Sequence, residues 1–115
     1  MTSLIVLLST GKGTWAKTIK IINSHTWDKI IIVTNEFGKS TFQKKDNMEL
    51  IVINPDDPIK KIISKIKDSL NIIDTEVALN LSSGSGKEHM ALLSAILKSG
   101  LGIRLITYET ELTEL

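Results

Sequence analysis

Four short runs of nearly unbroken aliphatic residues, 4–8, 30–33, 50–53 and 77–81, limit what this chain can fold into. A strand with one wet face alternates apolar and polar residues. A run that is apolar at almost every position predicts burial on both faces. Helical patterns separate the runs. Trp15, Ile19 and Ile22 share one face over 15–23, and residues 90–97 predict a mostly buried helix, ended by Gly100 and Gly102. Ile59, Ile62, Ile63, Ile66 and Leu70 fall at i, i+3, i+4, i+7 and i+11, with Lys60, Lys61, Lys65 and Lys67 on other faces. This is the clearest amphipathic helix. Asp57 is its expected cap and Pro58 its expected first helical residue. A fifth strand is expected at 103–108, and the tail 109–115 reads as a frayed end or a short extra strand. The segment 35–48 is long enough for a parallel crossover but predicts only a short or irregular helix.

Strands alternating with helices argue for parallel βαβ units. The expectation is a single domain over 1–115. Its class is α/β, a Rossmann-like, doubly wound three-layer sandwich of about five parallel strands in the order 3-2-1-4-5. In that order strands 1 and 4 are neighbours and the winding reverses between them, which is where such sheets bind ligands. The loops that follow these two strands are Ser9-Thr10-Gly11-Lys12-Gly13-Thr14 and Ser82-Ser83-Gly84-Ser85-Gly86-Lys87. Both are rich in glycine and hydroxyls, both carry a lysine, and both lead into a helix. Helix-start N–H groups, hydroxyls and a lysine together favour an anion, so a phosphate-bearing ligand is the natural candidate. Tight turns favour Gly and Ser too, so either loop alone has a purely structural reading.

Charge and composition narrow the class. Fourteen basic and 13 acidic residues give a net charge of +1, which offers no bulk attraction to duplex nucleic acid. With no cysteine there is neither a disulfide scaffold nor a thiolate metal site, and His25 and His89 lack metal-ligand spacing. No metal and no cofactor are expected. Nothing reaches the ~18 apolar residues of a membrane span, and the apolar run near the N-terminus is too short for a signal-peptide core. A soluble, cytoplasmic protein is the expectation.

Named motifs fit unevenly. Gly86-Lys87 fails as a phosphate-binding P-loop, because Leu81 stands where the first glycine belongs and Glu88 where Ser or Thr belongs. Gly11-Lys12-Gly13-Thr14-Trp15-Ala16 does match the dinucleotide pattern GxGxxG/A. Glu36, just past strand 2, then stands where a ribose-binding carboxylate would sit. That reading is a small Rossmann subunit binding NAD or another adenine dinucleotide. The serines have no evident base partner for triad chemistry. His89 reads as a crevice donor or as a solvent-facing residue of the first helical turn, with the latter preferred. Trp15 and Trp27 read as packing residues.

The stretch VALNLSSGSGKEHMALLSAILKSGLGIRLITY, 77–108, resembles the second signature of CRISPR-associated Rossmann-fold (CARF) domains. In that signature a strand ends in Asn-x-Ser/Thr, a Gly-rich basic turn follows, and a small-residue apolar helix leads to the last parallel strand. Asn80, Ser82, Ser83, Gly84, Gly86 and Lys87 carry the similarity, and Ser9, Thr10, Gly11 and Gly13 resemble the first signature. One position departs: the family's basic residue stands one step sooner after the strand than Lys87. The resemblance implies a homodimer whose paired crevices bind cyclic oligoadenylate, a second messenger of antiviral defence. No winged-helix or ribonuclease effector is fused within these residues, so it implies a stand-alone member. The expected ligand-binding set is Ser9, Thr10, Gly11, Lys12, Gly13, Thr14, Asn80, Ser82, Ser83, Gly84, Ser85, Gly86 and Lys87. Some family members open the ring without metal, as ring nucleases. For that activity the candidates are Ser9 for positioning, with Lys12 and Lys87 for charge stabilisation.

Overall fold

The sheet has the order β3-β2-β1-β4-β5-β6. Its elements run β1 (Ser3–Leu8), α1 (Trp15–Asn23), β2 (Lys29–Thr34), α2 (Glu36–Thr41), β3 (Met48–Val52), α3 (Ile59–Ser69), β4 (Glu76–Asn80), α4 (Gly86–Lys98), β5 (Gly102–Tyr108) and β6 (Leu112–Glu114). The computed structural model describes residues 2–9, 15–41, 45–72 and 75–115. β1 to β5 are parallel, and β6 turns back antiparallel on β5. The acidic tail is therefore a short sixth strand, and the doubly wound α/β fold with β1 beside β4 is present.

The apolar runs are continuous because each strand feeds two cores. On one face Ile5, Leu7, Ile31, Val33, Ile51, Val77 and Leu79 meet Ile62 and Ile66 of α3, and Ala91, Leu92, Ala95 and Ile96 of α4. On the other, Leu4, Val6, Leu8, Ile30, Ile32 and Ala78 meet Trp15, Ile21 and Ile22 of α1, with Trp27 beside them. Alternate residues of one strand thus serve opposite layers, as a period of two requires. Each fully buried Leu or Ile contributes on the order of 1.5–3 kcal/mol.

Four local expectations change. Pro58, not Asp57, is the N-cap of α3, with φ −55° and ψ 143° and no side-chain cap bond. Asp57 stands one residue too early, and its carboxylate instead lies 3.6 Å from Lys61. Helix α4 begins at Gly86 rather than Met90, because Ser85 and Glu88 form a capping box: Glu88 N–H donates to Ser85 Oγ, and Ser85 N–H donates to the Glu88 carboxylate. Helix α4 also buries only one side, leaving Met90 and Leu97 exposed. Strand β3 begins at Met48, two residues before the aliphatic run.

Candidate functional site

β1 and β4 pair directly, with Val6 opposite Asn80. The chain therefore leaves both strands at the same edge of the sheet, and the two loops start side by side. Ser9 is the joint. Its N–H donates to Ser83 Oγ (3.3 Å), its hydroxyl donates to Glu88 Oε1 (2.9 Å), and its carbonyl accepts from Asn35 Nδ2 (3.1 Å). One residue thus links the end of β1 to the loop after β4, the start of α4 and the start of α2. Asn35 also accepts from Gly38 N–H (2.9 Å), holding the first turn of α2.

The second loop is shaped from within. Asn80 is buried; its Nδ2 donates to Ile106 O (2.8 Å) and its Oδ1 accepts from Ser82 N–H (3.1 Å). The β4–β5 register ends at Leu79 opposite Leu105, so the Asn80 amide continues that ladder by one step while releasing the backbone into the loop. Gly84 has φ 101°, a region side chains avoid, and a Cβ there would sit 3.2 Å from Leu7 and 3.3 Å from the His89 ring. His89 is half-buried, and its Nε2 bonds to the Ser83 carbonyl (2.8 Å). A carbonyl only accepts, so this contact fixes the proton on Nε2. The imidazole therefore closes the loop over α4 rather than facing solvent.

Glu88 is the site residue that motif matching passed over. It is 1% exposed, and its Oε1 accepts from both Ser9 Oγ and Ser85 N–H (2.8 Å). Its Oε2 is buried with no partner among the described residues. The spacing Ser85-x-x-Glu88 marks a capping box and was the available signal. Its second bond, to a serine 79 positions earlier, has no local signature.

Of the expected ligand residues, Ser9, Asn80, Ser82, Ser83, Gly84, Ser85, Gly86 and Lys87 converge at this edge. Thr10, Gly11, Lys12, Gly13 and Thr14 lie outside the described residues. Lys87 turns away from Ser9: its ammonium donates to the carbonyls of Pro55 (2.9 Å) and Asp57 (2.7 Å), tying α4 to the β3–α3 loop. Gly86 faces open space. Asn80 and Ser9 are structural ties as well as site residues, since most of their polar groups are already bonded.

Beside the crevice, across Asn35, lies an open groove of about 640 Å³ between α2 and α3. Its rim carries Glu36, the exposed Phe37 ring, Lys61 and Lys65, over an apolar floor that includes Ile53 and Ile62. Trp15 packs 6.0 Å from Phe37 and is buried, and Trp27 donates to Ile21 O (3.2 Å), so both indoles are packing residues. Among the described residues no group of three His, Cys, Asp or Glu side chains is placed to hold a metal, and no helix is long and apolar enough to cross a membrane. Comparison with protein-family models and with curated proteins finds no match for this chain.

Proposed function

We propose that this protein is a CARF-like sensor that binds cyclic oligoadenylate, as a homodimer, at the crevice between β1 and β4. The observation that carries the reading is the meeting of Ser9 with the Ser82–Lys87 loop where the sheet's winding reverses. Glu88 already occupies the innermost anion position at the start of α4. The ligand's phosphates therefore sit at the outer lip, against the Ser82–Gly86 backbone and the hydroxyls of Ser82 and Ser85. Lys87 has a third N–H beyond the two given to Pro55 and Asp57, and its positive charge lies at the same helix start. Where the ring is opened without metal, the ligand's 2′-hydroxyl attacks the adjacent phosphorus and the bond to the 5′-oxygen breaks. The products are a 2′,3′-cyclic phosphate and a 5′-hydroxyl. The crevice contributes orientation and charge stabilisation, with Ser9 and Lys87 the described candidates.

One observation favours a second reading, an adenine dinucleotide. Glu36 stands just past β2 on the rim of the groove that adjoins the crevice, as a ribose-binding carboxylate would. The test separates the two. Purified protein is mixed, without metal, with cyclic tetra- and hexa-adenylate, and with NAD. Melting shift and ring opening are followed together. The sensor reading expects a shift with a cyclic ligand that Ser83→Ala and Lys87→Ala reduce and Glu36→Ala leaves alone. Each variant's ligand-free melt is the control for lost packing. An unmoved melt with intact rings refutes it, and a shift with NAD alone that Glu36→Ala removes establishes the other.

A further inference from the structure

Among the described residues Phe37 is the one Phe, Trp or Tyr ring left largely in water, 54% exposed. It is not a loose end. Its ring packs against the buried Trp15, with centroids 6.0 Å apart, and stands on the rim of the groove between α2 and α3. Lys61 and Lys65, one turn apart on α3, line the same groove. Lys61 has a partner in Asp57, 3.6 Å away, while Lys65 has no ion-pair partner among the described residues.

The walls of the groove are tied down. Asn35 is bonded to Ser9 and Gly38, and the carbonyls of Pro55 and Asp57 accept from Lys87. The groove is therefore formed before anything enters it. Small-molecule sites usually are, and about 640 Å³ lies within the range they span.

We infer that this groove is a second binding site, separate from the crevice, for a purine nucleoside 5′-monophosphate. Three parts of the groove select that chemistry. The Phe37 ring, beside the apolar floor of Ile53 and Ile62, takes a flat base. Stacking on an aromatic serves any base, and a purine offers the larger face. The two lysines of α3 take an anion. Glu36, next to Phe37, repels an anion on its own side and so sets the direction: base toward α2, phosphate toward α3. Its carboxylate only accepts, which suits the sugar hydroxyls between the two ends. The charge of a monophosphate, about −2, matches two lysines, whereas a longer phosphate chain would also press on Asp57 and Glu36. Glu36 thereby serves a separate molecule, not the ribose of a dinucleotide lying across the crevice. This site goes beyond the proposed function and does not rest on what the crevice holds.

The test is calorimetric titration with AMP, adenosine, inorganic phosphate and NAD. AMP is expected to bind at least about tenfold tighter than adenosine or phosphate, because each of these keeps only one end of the contact. Phe37→Ala is expected to raise the AMP dissociation constant about tenfold with an unchanged circular dichroism spectrum, and Phe37→Trp to keep it near the wild-type value. Lys65→Glu is expected to raise it about tenfold too. Lys60→Glu, the same charge change on α3 but outside the groove, should leave it alone. No binding of AMP at concentrations on the order of millimolar overturns the site. Phosphate binding as tightly as AMP, or equal losses in Lys60→Glu and Lys65→Glu, reduces it to surface charge and overturns it as well. NAD binding more tightly than AMP overturns the mononucleotide and returns Glu36 to a dinucleotide. The two proposals fail separately. If Phe37→Ala also abolishes the melting shift with cyclic tetra- or hexa-adenylate, the groove is part of the crevice site, and the second site falls while the sensor reading stands. AMP binding by a protein indifferent to the cyclic ligands removes the sensor and leaves the groove.

Discussion

Replacing Glu88 by alanine removes three things at once. The capping box at the start of α4 is lost, which costs about 1 kcal/mol. The Ser9 hydroxyl, on a buried residue, loses its acceptor, at about 1–3 kcal/mol. The favourable charge at the helix N-terminus goes as well, but with one oxygen unpaired the buried carboxylate carried a desolvation cost that offsets this gain. A net loss of about 3 kcal/mol follows. An unfolding entropy of about 2.1 cal/mol/K per residue gives about 0.24 kcal/mol/K for 115 residues, so Tm falls by about 12 °C. Glu88→Gln keeps the shape and an acceptor oxygen for Ser85 N–H and Ser9, and its Tm is expected to fall by no more than about 4 °C. The assay is thermal unfolding by circular dichroism of both variants, with Ser9→Ala and the Ser9→Ala/Glu88→Ala double variant. Coupling between the two sites is expected at about 1–2 kcal/mol. If alanine and glutamine melt alike, or if the double variant is additive, the Ser9–Glu88 bond does not hold the crevice and the reasoning is wrong.

Other outcomes follow from particular contacts. Gly84→Ala forces a side chain into a positive-φ position against Leu7 and His89, and is expected to cost about 1–2 kcal/mol in urea unfolding. Ile66→Ala empties a fully buried position between α3 and the sheet, at about 2–5 kcal/mol by the same measurement. Arg104, which donates from Nε to Glu114 Oε1 (2.9 Å), holds the Glu114 carboxyl below its usual range. A carboxyl depressed in the folded state stabilises it above the ordinary Glu value and loses that contribution as pH falls through the depressed one. The melting gap between wild type and Glu114→Gln should therefore be present at neutral pH and close in acid; a gap that widens in acid contradicts the pairing.

Much of this architecture is legible along the chain, because its causes act over a few residues. Runs such as Ile30-Ile-Ile-Val33 are apolar at every step, and only a strand between two layers can bury them all. The i, i+3, i+4 spacing from Ile59 to Leu70 admits one helical face. From these comes the parallel sheet, and the order usual for a doubly wound sheet then gives the edge where the Ser9 and Ser82–Lys87 loops emerge. The capping box Ser85-x-x-Glu88 belongs to this class too, because its two bonds join residues three apart.

Other features depend on what meets across long separations. The ammonium of Lys87 has three donors and a flexible stem, and nothing in GSGKEH says it will reach back to the carbonyls of Pro55 and Asp57. Glu88 acquires its second partner only because β1 and β4 are neighbours, which brings Ser9 within 2.9 Å. The apolar pattern of α4 is equally silent about which side the sheet will cover. Packing leaves Met90 and Leu97 exposed on a helix whose composition reads as buried. Periodicity and local hydrogen bonding settle which elements form, and tertiary packing settles which donors, acceptors and apolar faces remain free at the site.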